Sequence, residues 1–153
     1  MASRNGKGAS GRDAAMLAMR LVSVGVGIFF LAMCLNKLAW LTNPSLLGQR
    51  FERWLPNAAP YARVYLETVA IPFASVFARL VPLGEFLTAM AMFTGVFTNV
   101  AAGLALVMIL NFHLATSAFS SAEFLRDGTG PPLIAALLAL AIAGARLPFS
   151  LRK

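Results

Sequence analysis

From Phe86 to Ala122 the chain runs for 37 residues without a charged side chain. As one helix that stretch would be about 55 Å long at a rise of ~1.5 Å per residue, nearly two crossings of a ~30 Å hydrocarbon layer. It has to fold back on itself. Gly95-Val96-Phe97-Thr98-Asn99 lies near its middle, and a glycine there lets one helix end and another restart. The sequence therefore predicts a membrane hairpin, with spans at about 80–97 and 100–119.

Composition agrees. With 59% hydrophobic and 12% charged residues and a mean hydropathy of +0.75, too little polar material is left to cover a soluble globule of this size. The 153 residues leave room for four spans and one sizeable loop, and none for a separate soluble domain. A first span is expected over about 14–38, where Arg20 and Lys37 sit ~26 Å apart along a helix and each can snorkel to its own interface. A fourth is expected over about 131–147, opened by Pro131-Pro132 and closed by Arg146 and Pro148. The expected fold is all-α: an integral membrane four-helix bundle occupying 14–147. A basic, flexible tail precedes it at 1–13, and a short basic end follows at 148–153. The stretch before Asn36 is long and lacks a small-residue cleavage site, so it reads as a retained helix rather than a signal peptide.

A net charge of +7 suggests nucleic acid until the charges are placed. Four spans put Arg4, Lys7, Arg12, Arg20, Arg146, Arg152 and Lys153 on one side against a single acid, Asp13. Five of the six acids fall on the other side with six cations. The bias puts both termini in the cytoplasm, in a bacterial inner membrane, with lipid rather than nucleic acid as the partner of the basic tail.

The long loop, 41–79, has a pattern of its own. Asn43-Pro44 starts a segment in which Leu47, Phe51, Trp54 and Leu55 form one stripe and Gln49, Arg50, Glu52 and Arg53 the opposite face, as expected of an interfacial helix on the outer leaflet. Trp40, Trp54, Arg50 and Arg53 are its expected anchors. A second segment from Tyr61 carries Val64, Tyr65, Thr68 and Val69 at helical spacing and can dip into the bilayer. Helix-packing seams are expected where small residues recur four apart: Ser23 with Gly27, Ala91 with Gly95, Ala101 with Ala105, and Ala135 with Ala139 and Ala143.

Polar groups within the spans are few. Glu85 is interfacial if its helix starts at Pro82, and deep in the bilayer if the helix starts nearer Pro72, where it would need a partner. Lys37 is the cation on the correct side to pair with it. Folding the hairpin about Thr98 also brings Asn111 to the depth of Glu85. His113, two residues on and ~200° around the helix, shares its face with Ser117 instead. As the only histidine it builds no two-histidine metal site, and a hydrogen-bonded structural role is the plainer reading beside an axial ligand or a quinone contact. Cys34 is alone, so there is no disulfide or redox dithiol. No phosphate loop or metal-spaced cluster is present.

The first helix, with Arg20, Phe29-Phe30 and Asn36-Lys37-Leu38, resembles that of the DoxX-like family of small bacterial membrane proteins. So does the run from Pro82-Leu83-Gly84-Glu85 through Met92-Phe93-Thr94-Gly95-Val96-Phe97-Thr98 to Leu110-Asn111-Phe112. The resemblance covers about two thirds of the chain, and the long loop with Trp54 departs from it. It implies a small accessory or quinone-proximal subunit of a membrane redox complex of the thiosulfate:quinone type, not catalytic alone, with Lys37, Glu85 and Asn111 as its family-like polar positions. Partner subunits or self-association follow from that reading. No cofactor is expected on this chain alone, while contact with a quinone, chlorophyll or haem in a complex stays open. A small carrier using Glu85 and Lys37 as a polar path, and an accessory subunit of a pigment-bearing complex with His113 as ligand, are the competing readings.

Overall fold

A computed structural model describes the backbone of residues 4–144 and 147–148, and the side chains of 11–122, 124–144 and 147–148. All regular structure among them is helical. Seven α-helices follow in order: α1 (Arg4–Leu35), α2 (Leu38–Thr42), α3 (Ser45–Trp54), α4 (Pro60–Tyr65), α5 (Ala74–Thr94), α6 (Thr98–Ala115) and α7 (Pro131–Ala143). Three stretches are long and apolar enough to cross a membrane: Gly11–Leu35, Ala74–Thr94 and Thr98–Ala115. Helix α7 is apolar but has only 13 residues, about 20 Å of rise, so it does not reach the length expected for a fourth span at 131–147.

Helix α1 begins at Arg4, so residues 4–13, expected as a flexible tail, are helical; residues 1–3, Arg146 and the basic end beyond Pro148 lie outside the described residues. The hairpin turn falls where the glycine predicted it. Gly95 closes α5 with φ 73° and Phe97 precedes α6 with φ 54°. Glycine takes the left-handed region without steric cost, whereas Phe97 is held there by the turn. Helix α5 starts at Ala74, six residues before the expected span, and carries Pro82 inside it. Proline at that point has no N–H to give to the Ala78 carbonyl.

Two cores share α5. One is built by Val26 and Phe30 of α1, Ala89 and Met92 of α5, Ala102, Ala105 and Ile109 of α6, and Leu133, Leu137 and Leu140 of α7. Here the Ser23–Gly27 seam holds: a Cβ on Gly27 would lie 2.8 Å from Phe93 Cε1 and 3.1 Å from Met92 Cβ. The alanine seam of α7 does not hold. Ala135 and Ala143 are exposed, and leucines at 133, 137 and 140 make the contact, because their bulk fills the gap left by the small residues of α6.

The second core lies under the loop, where Trp40, Leu47 and Phe51 pack on Leu66, Ala70, Ala74 and Ala78. Ala62, Leu66, Ala70, Ala74 and Ala78 are all buried at a strict spacing of four. On a straight α-helix such a stripe drifts by ~40° per step. A π-helical turn over Leu66–Ala70, closed by the Ile71 N–H on the Leu66 carbonyl at 2.9 Å, takes up the drift. The stripe read as Val64, Thr68 and Val69 faces out instead. The apolar stripe of α3 likewise covers protein: Leu47 is 0% exposed, Phe51 is buried, and Gly48 comes close to Ala74.

Candidate functional site

Helix α1 stops at Leu35, and the Lys37 N–H bonds back to the Cys34 carbonyl at 2.9 Å in a tight turn. That turn directs the lysine inward. Its ammonium donates to Glu85 Oε1 at 2.5 Å, with the two side chains 6% and 3% exposed. The Met33 carbonyl lies 3.4 Å from Nζ, and the Trp40 and Phe112 rings are each 5.7 Å away. Glu85 sits on α5 between Val81, which belongs to the second core, and Ala89, which belongs to the first. The ion pair therefore occupies the junction of the two cores. Desolvating both charges costs several kcal/mol each, at order of magnitude, and only their mutual attraction and further hydrogen bonds offset it. Glu85 falls short of full compensation: its Oε2 is buried with no hydrogen-bond partner among the described residues.

Asn111 does not take that role. Its side-chain oxygen accepts from the Tyr65 hydroxyl at 2.5 Å, which ties α6 to α4 rather than across the hairpin. Equal depth along two helices does not set rotation, and Asn111 is turned toward the loop. Burial pushes the Tyr65 phenol above its ordinary value.

His113 is buried, and its Nε2 lies 2.9 Å from the Thr129 carbonyl. A carbonyl only accepts, so Nε2 carries the hydrogen. Phe119 and Phe124 meet the ring edge-on at 5.8 and 5.1 Å. Thr129 is itself fixed by Asp127, whose carboxylate accepts from the Thr129 backbone N–H at 3.0 Å and from its hydroxyl at 2.6 Å. Those two bonds hold the Asp127 carboxyl below the usual carboxylate range. Ser117, expected beside His113, has φ 60° and accepts from the Ala59 N–H at 2.9 Å.

Among the four expected anchors, Trp40 is 5% exposed under the Arg50 guanidinium, 5.3 Å from its ring. It is a wall of the second core, not a lipid anchor. Arg50 and Arg53 are exposed and Trp54 is half-buried. Lys37, Glu85, His113, Arg50 and Trp54 all line one cleft of about 670 Å³, with Phe29, Met33 and Phe112 among its apolar walls. The size falls within the range of small-molecule sites. No group of three or more metal-ligating side chains occurs among the described residues.

Residue patterns alone missed one polar device. Arg20 does not snorkel. Its guanidinium donates to the Met92 and Phe93 carbonyls at 2.8 and 2.5 Å, and the Ser23 hydroxyl adds a bond to Met92 at 2.9 Å. A cation and a hydroxyl thus satisfy carbonyls in the last turn of α5, which the helix cannot serve itself and whose dipole attracts positive charge. The available signal was the placement of Arg20, Ser23 and Gly27 on one face of α1. Comparison with known proteins finds no matching family model, no matching curated protein and no matching solved structure.

Proposed function

We propose that this chain is an integral membrane protein of the DoxX-like type, working as a small quinone-proximal or accessory subunit of a larger membrane redox complex. The observation that carries the reading is the cleft containing the buried Lys37–Glu85 pair, with an unpartnered carboxylate oxygen and apolar walls. A buried ion pair that is incompletely satisfied costs stability and is a reason to look for a role beyond packing.

In this reading α1, α5, α6 and α7 form the four-helix bundle. The short α7 crosses with help from its neighbours, and both termini face the cytoplasm of a bacterial inner membrane. Helix α3 lies at the outer surface with Arg50 and Arg53 toward the lipid headgroups. A carrier built on the Lys37–Glu85 path is the second reading, favoured by the same cleft. A pigment role for His113 has to use Nδ1 or break the Nε2 bond to Thr129.

The test is purification of the tagged chain from its native membrane in mild detergent, followed by its mass and visible spectrum. Comigrating subunits with flavin, haem or iron–sulfur absorption support the redox reading. A colourless lone chain overturns it.

A further inference from the structure

We propose that the cleft holds one anionic phospholipid, its phosphate against the Arg50 and Arg126 guanidinium groups and one acyl chain running down between α1 and α6. The site rests on the membrane part of the reading above and on none of its redox part.

The cleft is graded from an exposed, charged rim to buried and half-buried walls. Arg50 of α3, with Arg126 and Asp127 in the loop before α7, lines it and is exposed, as are both of those. Below the rim the lining follows α6 from Thr116 to Ile109, seven residues or ~10 Å of rise. That is about two thirds of the ~15 Å of hydrocarbon in one leaflet. Across from α6, Phe29 and Met33 of α1 face the same space as Ile109 and Phe112, a surface that hydrocarbon covers more favourably than water does.

Charge selects the head. The lining carries three cations, Lys37, Arg50 and Arg126, against two carboxylates, Glu85 and Asp127. Lys37 and Glu85 neutralise each other at 6% and 3% exposure, so neither is offered to a ligand. Asp127 commits one oxygen to the Thr129 N–H and the other to its hydroxyl. His113 is held by the Thr129 carbonyl. Arg50, by contrast, meets only the Trp40 ring at 5.3 Å, and Arg126 has no hydrogen-bonding or ionic partner among the described residues. Two planar donor forks remain, of the geometry that phosphate accepts, and a phosphodiester has two free oxygens to receive them. A zwitterionic head would add a cation that finds no uncommitted carboxylate in the lining. A fatty-acid carboxylate shares the anionic chemistry, but the phosphodiester keeps its charge at every pH a membrane meets, as the guanidinium groups do.

The experiment measures equilibrium binding to the full chain in neutral detergent, by native mass spectrometry, of four probes: didecanoylphosphatidylglycerol, didecanoylphosphatidylcholine, decanoate and inorganic phosphate. Phosphatidylglycerol is expected to bind about tenfold or more tightly than phosphatidylcholine, the order of one charge-assisted hydrogen bond. Arg50→Gln and Arg126→Gln should each cut that preference. Arg53→Gln, on the same helix as Arg50 but outside the lining, should leave it unchanged. All three side chains are exposed, so the variants test binding rather than folding. Equal binding of the two lipids, or a loss with Arg53→Gln as large as with Arg50→Gln, overturns the proposal. So does inorganic phosphate binding as tightly as phosphatidylglycerol, which removes the acyl chain from the site, or decanoate binding more tightly, which makes the occupant a fatty acid. Lipid selectivity in a chain that purifies without redox subunits would keep this proposal and sink the redox reading. Redox subunits comigrating with a chain that lacks the selectivity would do the reverse.

Discussion

Lys37 and Glu85 give up their hydration and receive one 2.5 Å contact in return, so each depends on the other more than on the bundle around it. Removing one side leaves an unpaired charge at the junction of the two cores. Lys37→Met and Glu85→Gln should each destabilise the fold by on the order of 1 to 4 kcal/mol, and the double change by less than their sum. Unfolding of the three variants in mixed detergent measures this, and strictly additive losses would show that the two groups do not interact. Asp127 supplies a pH-dependent counterpart outside the membrane-spanning helices. Its folded pKa is depressed by the two bonds from Thr129. The stabilisation is therefore present above the ordinary aspartate value and is lost as pH falls through the lower, folded one. The Asp127 carboxyl carbon should titrate by NMR below a free aspartate, and the Thr129 amide should lose its exchange protection over the same interval. Titration at the ordinary value would mean that the turn is not formed in solution.

Among the elements, α1 meets α5 through backbone proximity and α7 meets the bundle through bulk, so opposite substitutions should hurt them. Gly27→Val places side-chain atoms where Phe93 and Met92 already sit, an overpacking cost of about 1–3 kcal/mol. Gly25→Ala, with nothing near its Cβ, should be close to neutral. In α7, Leu137 is fully buried while Ile142 is 85% exposed. Leu137→Ala should cost about 2–5 kcal/mol, and Ile142→Ala little. Thermal unfolding in one detergent ranks all four, and equal losses at 137 and 142 would contradict the assigned face of α7.

For the whole molecule, the number of crossings is read by an accessibility experiment. In a Cys34→Ala background, membrane-impermeant thiol labelling from outside should reach a cysteine at Gln49 and miss those at Ser10 and Lys153. That pattern follows from four crossings and the cation bias of the sequence. Labelling at Gln49 and Lys153 together would instead mean three crossings, with α7 lying within one side. Labelling at Ser10 alone of the first two probes would invert the orientation.

The helical class, the turn at Gly95 and two membrane-compatible helices were legible in the residues, expected at about 80–97 and 100–119 and found at 74–94 and 98–115, because hydropathy and a left-handed glycine act locally. The sequence by itself also named Lys37 as the cation for Glu85, since few charges stand inside the spans to choose from. Rotation and packing were decided only by the tertiary structure. Asn111 went to Tyr65, His113 to Thr129 and Arg20 to the end of α5, while Trp40 and the stripe of α3 turned into a second core. Each of those outcomes depends on which face of a helix meets which neighbour. In a segment that is apolar all round, periodicity carries almost no record of that face. The cleft belongs to the same class, since its walls come from α1, α3, α5, α6 and the loop before α7, brought together only when the helices pack.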